Sequence, residues 1–181
     1  MWRQAIPYLK KGKKKDFVTH TKWVIKSMEI LLKKEKGDES LLMPAAILHD
    51  VGWSKVPLAL QKAISGAKAK KALELHLEYC PPIIEKILNN FNYNKDKIKK
   101  IIDIVLAHQF KNPRNLNKRL LIDADALSDV FKEPFYTDAE QYKISPKQLF
   151  DFRKKNKFYT KTAKLIFEKE LAKRKQEIDS F

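Results

Sequence analysis

Apolar residues recur at three- and four-residue spacing along almost the whole chain, and strand-like alternation is scarce, so the pattern predicts an all-α protein. A first helix is expected from about Asp16, a good N-cap, to about Lys34, with Gly37 beyond it and Phe17, Val24, Met28 and Leu31 as its buried stripe. A second should start near Asp38 or Ser40, carry Leu42, Ala45 and Leu48, and stop at Gly52. Pro44 lies early in it, where a missing N–H costs little. Val56 to Tyr79 reads as one or two shorter helices around Gly66. Pro81 and Pro82 are expected to stop that run and begin the next, through Ile84, Ile87 and Leu88. A longer helix follows from about Asn94 through Ile98, Ile101 and Val105 to His108. The polar stretch Lys111–Lys118 reads as a loop, Arg119 to Phe131 as a helix, and Glu133–Ile144 as another loop. Ser145-Pro146 is a helix-start pair, and the last helices carry Leu149, Phe150, Leu165 and Phe167.

No internal repeat or low-complexity linker divides the chain. It reads as a single domain over residues 1–181, with a core at about 16–131 and a C-terminal helical extension at about 145–181. Hydrophobic residues at 44% and charged residues at 33% fit a soluble globular protein. The longest apolar run, Leu41 to Leu48, is too short to span a bilayer, and Met1 to Leu9 lacks the features of a secretory signal. The lone Cys80 forms no internal disulfide and stands beside Pro81 without an activating pattern, so it is expected to be inert and the compartment to be the cytoplasm.

The net charge of +16 adds a field that favours anionic partners, nucleic acid and nucleotides among them. Most of the excess is lysine spread along solvated helix faces, so charge alone does not choose between a small phosphorylated substrate and a nucleic acid.

The chemistry rests on four histidines, His20, His49, His76 and His108, each on the apolar side of its predicted helix. His20 precedes Val24 by four residues and Met28 by eight; His108 follows Ile101, Ile104 and Val105. Side chains three and four apart share a face, so each imidazole should point toward the core or a cleft. Burying one imidazole is ordinary when it is hydrogen-bonded; burying several is costly unless something such as a metal ion compensates. Asp50 directly follows His49, and Asp123 and Asp125 follow His108 by a short loop and a turn. Histidines and aspartates converging from several helices make a site for a divalent ion, while spacing alone leaves structural histidines equally open.

Three stretches resemble the HD-domain superfamily of metal-dependent phosphohydrolases. They are Asp16-Phe17-Val18-Thr19-His20-Thr21, Ala45-Ala46-Ile47-Leu48-His49-Asp50-Val51-Gly52 and Leu121-Ile122-Asp123-Ala124-Asp125-Ala126-Leu127. The resemblance covers about residues 16 to 131. It implies an HD-like helical bundle in which His20, His49, Asp50 and one late aspartate bind a divalent ion (Mn, Fe, Co, Ni, Zn or Mg). Asp125 is the preferred aspartate, since it follows an alanine and precedes a leucine by two, and Asp123 is the alternative. Some branches place two further histidines in the interval that holds His76 and His108, which implies a second metal or a phosphate contact there. No Gly-Tyr-Pro occurs, so the cyclic-dinucleotide branch is not matched, and Ala126 stands where an arginine often follows the late aspartate, which weakens the analogy to the alarmone branch. The implied activity is hydrolysis of a nucleotide or other small phosphate ester or anhydride by a metal-activated water, with Asp50 as ligand and as the group polarising that water. Lys55, just past the Gly52 turn, is the first choice for a catalytic and substrate-binding cation, followed by Lys111, Arg114 and Arg119. Trp53 is expected to cap the core rather than stack on a base. The competing readings are a basic module gripping nucleic acid with structural histidines, and an HD fold that has lost turnover.

Overall fold

The computed structural model describes residues 1–12, 17–63, 65–109 and 112–180. Among these residues it is all-helical, with ten α-helices, one 3-10 turn and no strand, as an HD-like bundle should be. The helices are α1 (Trp2–Leu9), α2 (Phe17–Leu32), α3 (Glu39–Leu48), α4 (Leu58–Gln61) and α5 (Gly66–Asn89), with the 3-10 turn at Val51–Lys55 between α3 and α4. Then come α6 (Lys95–Leu106), α7 (Leu116–Ser128), α8 (Lys132–Tyr142), α9 (Pro146–Arg153) and α10 (Lys161–Asp179). None of the described helices is long and apolar enough to cross a membrane.

The expected stripe of α2, Phe17, Val24, Met28 and Leu31, is buried as a set and packs α2 between α3 and α7. The expected cap Asp16 lies outside the described residues. At the next helix Asp38 is the N-cap, its carboxylate accepting from the Ser40 amide at 3.0 Å. Asn94, Asn115 and Thr160 cap α6, α7 and α10 in the same way, and Ser145 with Gln148 forms a full capping box on α9. These side chains meet the backbone N–H groups that a helix start leaves without partners.

Three expectations need correction. Pro81 and Pro82 do not break the chain, since α5 runs through them without interruption from Gly66 to Asn89. The buried face Ala72, His76, Cys80, Ile83, Ile84, Ile87 continues across both prolines at helical spacing, so packing holds the helix together. The two carbonyls that lose their donors belong to Leu77 and Glu78, on the half-exposed to exposed side where water can bond them. The second correction is Glu133–Ile144, expected as a loop, most of which is α8. Its apolar contribution is small, Phe135 and Ala139, and these build a satellite core with Leu149 of α9. Third, the core expected at about residues 16–131 also takes in the short N-terminal helix α1, whose Ala5 and Leu9 are buried in it.

The 3-10 turn lies against the middle of α5. Gly52 makes that approach possible, because a Cβ there would lie 2.1 Å from the His76 carbonyl oxygen and 2.8 Å from the Cys80 sulfur. The obstacle is helix backbone and cannot rotate away. Gly52→Ala should therefore cost about 1–3 kcal/mol of overpacking strain. Urea denaturation should show the lowered midpoint, and an unchanged midpoint would mean that the turn and α5 are not in this contact.

Candidate metal centre

Four elements bring the histidines to one place. His20 sits one turn into α2, His49 caps the C-terminus of α3, His76 lies in the middle of α5, and His108 follows the end of α6. Asp50 follows His49 with φ −106° and ψ 5°, where the chain leaves α3 for the 3-10 turn. Asp125 comes from α7. The imidazoles form a chain of ring contacts, His20 to His49 at 5.5 Å, His49 to His108 at 5.4 Å and His108 to His76 at 5.5 Å between centroids.

The carboxylates lie between the rings. Asp125 Oδ1 is 3.1 Å from His20 Nε2 and 3.8 Å from His49 Nε2. Asp50 turns Oδ2 to His20 Nε2 (3.5 Å) and His49 Nε2 (3.3 Å), and Oδ1 to His76 Nε2 (3.6 Å). Two sets result, His20, His49, Asp125 and Asp50, His76, His108, each with one donor atom per residue and all three atoms within 4.8 Å of one another.

Backbone contacts select the tautomers. His49 Nδ1 is 2.9 Å from the Ala46 carbonyl and His108 Nδ1 is 2.5 Å from the Val105 carbonyl. A carbonyl only accepts, so each Nδ1 must carry the proton, which leaves an Nε2 lone pair aimed into the cluster when the ring is neutral. Trp53 stacks on His76 at 4.7 Å and 11° and on Phe17 at 5.9 Å, so it both covers the core and fixes the plane of an imidazole. Cys80 donates to the His49 carbonyl at 3.3 Å, and burial pushes its thiol up, away from thiolate chemistry. The Nε2 atoms of His49, His76 and His108 are buried without a hydrogen-bond partner among the described residues.

Burial disfavours the protonated form of His49, but Asp50 and Asp125 outweigh it and hold that imidazole up at about 9. Burial also opposes the charge on Asp50, where His49, His20 and His76 prevail and keep the carboxyl well below its usual range. Asp125 is brought down to about 2, the hydrogen bond from His20 and the charge on His49 overcoming burial. For His76 burial wins and the imidazole falls to about 3, and His108 moves down for the same reason. In the metal-free protein these shifts set opposite slopes. Between the ordinary histidine value of 6.5 and about 9, the folded chain keeps a proton on His49 that the unfolded chain has released, so stability falls as pH rises. Between about 3 and 6.5 the unfolded chain takes up a proton that folded His76 refuses, so stability falls as pH drops. Thermal unfolding in chelator should give its highest Tm near pH 6.5. A Tm that climbs steadily from neutral to alkaline pH would contradict the His49 environment.

The remaining candidates are placed elsewhere. Asp123 accepts from the Tyr159 amide (2.8 Å), the Thr160 amide (2.8 Å) and the Thr160 hydroxyl (2.7 Å), so its carboxylate holds the start of α10 and not the cluster. Lys55 is exposed in a groove whose lining includes none of the cluster residues. Arg114 is exposed, and Arg119 donates to the Pro113 carbonyl at 2.8 Å and lies over the Tyr159 ring. Lys111 lies outside the described residues. Sequence reading missed the outer contacts of His20, whose Nδ1 is 3.4 Å from Ser128 Oγ and 3.8 Å from Asp129 Oδ1. Arg153 of α9 in turn pairs with Asp129 at 2.6 Å and Asp138 at 2.5 Å. Asp129 stands four residues after Asp125, on the same helical face, which is a signal the sequence does carry. Arg153 has no comparable local signal.

No curated protein and no solved structure matches the chain. The family model described as HD domain matches residues 17–130, well over half of the sequence and every histidine and aspartate of the cluster. The chain therefore belongs to the HD domain family.

Proposed function

We propose that the protein is a metal-dependent phosphohydrolase acting on a nucleotide or another small phosphate ester or anhydride. The observation that carries this reading is the set of three buried imidazole Nε2 atoms, on His49, His76 and His108, without hydrogen-bond partners and gathered around the Asp50 and Asp125 carboxylates. A buried polar atom left without a partner costs roughly 1–3 kcal/mol, and a cation shared by such donors removes that cost. Purely structural histidines in a nucleic-acid-binding module leave the three nitrogens unexplained.

His20, His49 and Asp125 would hold one divalent ion, and His76 and His108 a second, with Asp50 presenting one oxygen to each set. Imidazole and carboxylate donors together suit Mn, Fe, Co, Ni or Zn, with Mg also compatible with the carboxylates. Such an ion, when bound, acidifies a water and draws charge from phosphoryl oxygens. The chain's own contribution is to hold Asp50 and Asp125 ionised, keep the imidazole Nε2 atoms aimed inward, and exclude bulk water from the buried side. A narrow cleft of about 10 Å³ lies beside His20 on the α8 side, walled by Thr19, Pro134, Thr137 and Gln141.

Metal analysis of the purified protein, with a panel of nucleotides and phosphate esters in Mn²⁺ and in Mg²⁺, tests the reading. His49→Ala and Asp50→Ala should each lose bound metal and turnover, and chelator should lower the Tm of the wild type. Unchanged metal content and turnover in both variants would overturn it. Arg153→Met, which releases Asp129 behind His20, should weaken metal binding about tenfold or more while the chain stays folded. Wild-type affinity in a folded variant would show that this outer contact is idle.

A further inference from the structure

Some of the surface cations are paired with carboxylates, as Lys70 and Lys71 are with Glu74, Lys118 with Asp103, Lys132 with Glu177, Lys164 with Glu168 and Lys173 with Glu170, and others stand singly along solvated helix faces. A different arrangement occurs where α1, the end of the 3-10 turn and the last turns of α5 meet. There a groove of about 540 Å³ is lined by Arg3, Lys11, Lys55 and Lys86, with no carboxylate on its lining. Among the described residues none of the four makes an ion pair.

Helix ends account for part of this charge. Lys11 follows α1 and Lys86 lies in the last turn of α5. A helix C-terminus carries about half a unit of negative charge, so two such ends offset about one of the four positive charges. The remaining cations face one another across a cavity of the size that small-molecule ligands occupy, roughly 300–1,000 Å³. The rest of the lining is mixed. Gln4 and Asn90 bring side-chain amides together at 3.3 Å across α1 and α5, and Tyr8 offers a half-buried aromatic ring.

We propose that this groove binds a short polyphosphate chain, free or as the triphosphate of a nucleotide, at a site separate from the His/Asp cluster. Several phosphates in one ligand match several cations that converge on one cavity and have no protein carboxylate to neutralise them. No residue on the groove lining belongs to the cluster, so the site does not depend on the metal reading. The two are joined only through the 3-10 turn, which gives Ser54 and Lys55 to the groove and stacks Trp53 on His76.

Calorimetric titration of the full chain with inorganic tripolyphosphate, with a nucleoside triphosphate and with a single-stranded oligonucleotide, all in chelator, tests the proposal. Three double variants are compared with the wild type: Arg3→Gln with Lys86→Gln in the groove, His49→Ala with Asp50→Ala in the cluster, and Lys164→Gln with Lys169→Gln on the exposed face of α10. Tripolyphosphate and the nucleotide should bind the wild type, the cluster variant and the α10 variant alike, and bind the groove variant at least tenfold more weakly. Tighter binding of the nucleotide than of tripolyphosphate assigns Tyr8 and the amide pair to the base; equal binding assigns recognition to the phosphates alone. An equal loss in the α10 variant would reduce the effect to the overall field and overturn the proposal. Loss confined to the cluster variant, or binding of the oligonucleotide without either small ligand, would overturn it as well.

Discussion

The Asp50 side chain is 6% exposed, and its carboxylate faces imidazoles from α2, α3 and α5. A charge taken that far out of water is tolerated only beside compensating charge or donors, so the helices that carry those imidazoles must converge on it. Gly52, two residues on, lets the chain turn against α5 without a side chain in the way and keeps His76 within reach. The same convergence leaves three Nε2 atoms without hydrogen-bond partners among the described residues, a cost that a bound cation would remove.

Outside this centre the C-terminal helices hold the segment that bears Asp125. Two residues before it, Asp123 caps the start of α10 through Tyr159 and Thr160, and four residues after it, Asp129 pairs with Arg153 of α9. Arg153, Tyr159 and Thr160 lie beyond residues 17–130, which the family model matches, and fasten the segment of α7 around Asp125 from both sides. They give the late helices a role in placing the Asp125 carboxylate, because a side chain is only as well placed as the helix that carries it.

Much of this was legible in the sequence, and the reasons are local. The α2 stripe and the helix caps follow helical periodicity and the chemistry of short polar side chains, and they appear where expected. That His20, His49, His76 and His108 point inward followed from their placement on apolar faces, while their meeting at one place was implied by the family resemblance. Less legible were features settled by tertiary contact. The helix through Pro81-Pro82 persists because its buried face is continuous, and α8 forms although only Phe135 and Ala139 anchor it. Asp123 and Asp125 differ by about 200° around their helix, and periodicity could not say which face meets the cluster, whereas the bonds to Thr160 do. Lys55 looked close to the centre along the chain, but the 3-10 turn presents it to another groove.

Anomalous diffraction from crystals soaked in Mn²⁺ is the most direct measurement of the central claim, because it locates the ion without reference to activity. The expected result is a peak bounded by His20, His49, Asp50 and Asp125, with a second bounded by Asp50, His76 and His108 when both sites fill. Manganese found only at surface carboxylates, with the imidazoles of the cluster bare, would contradict the account.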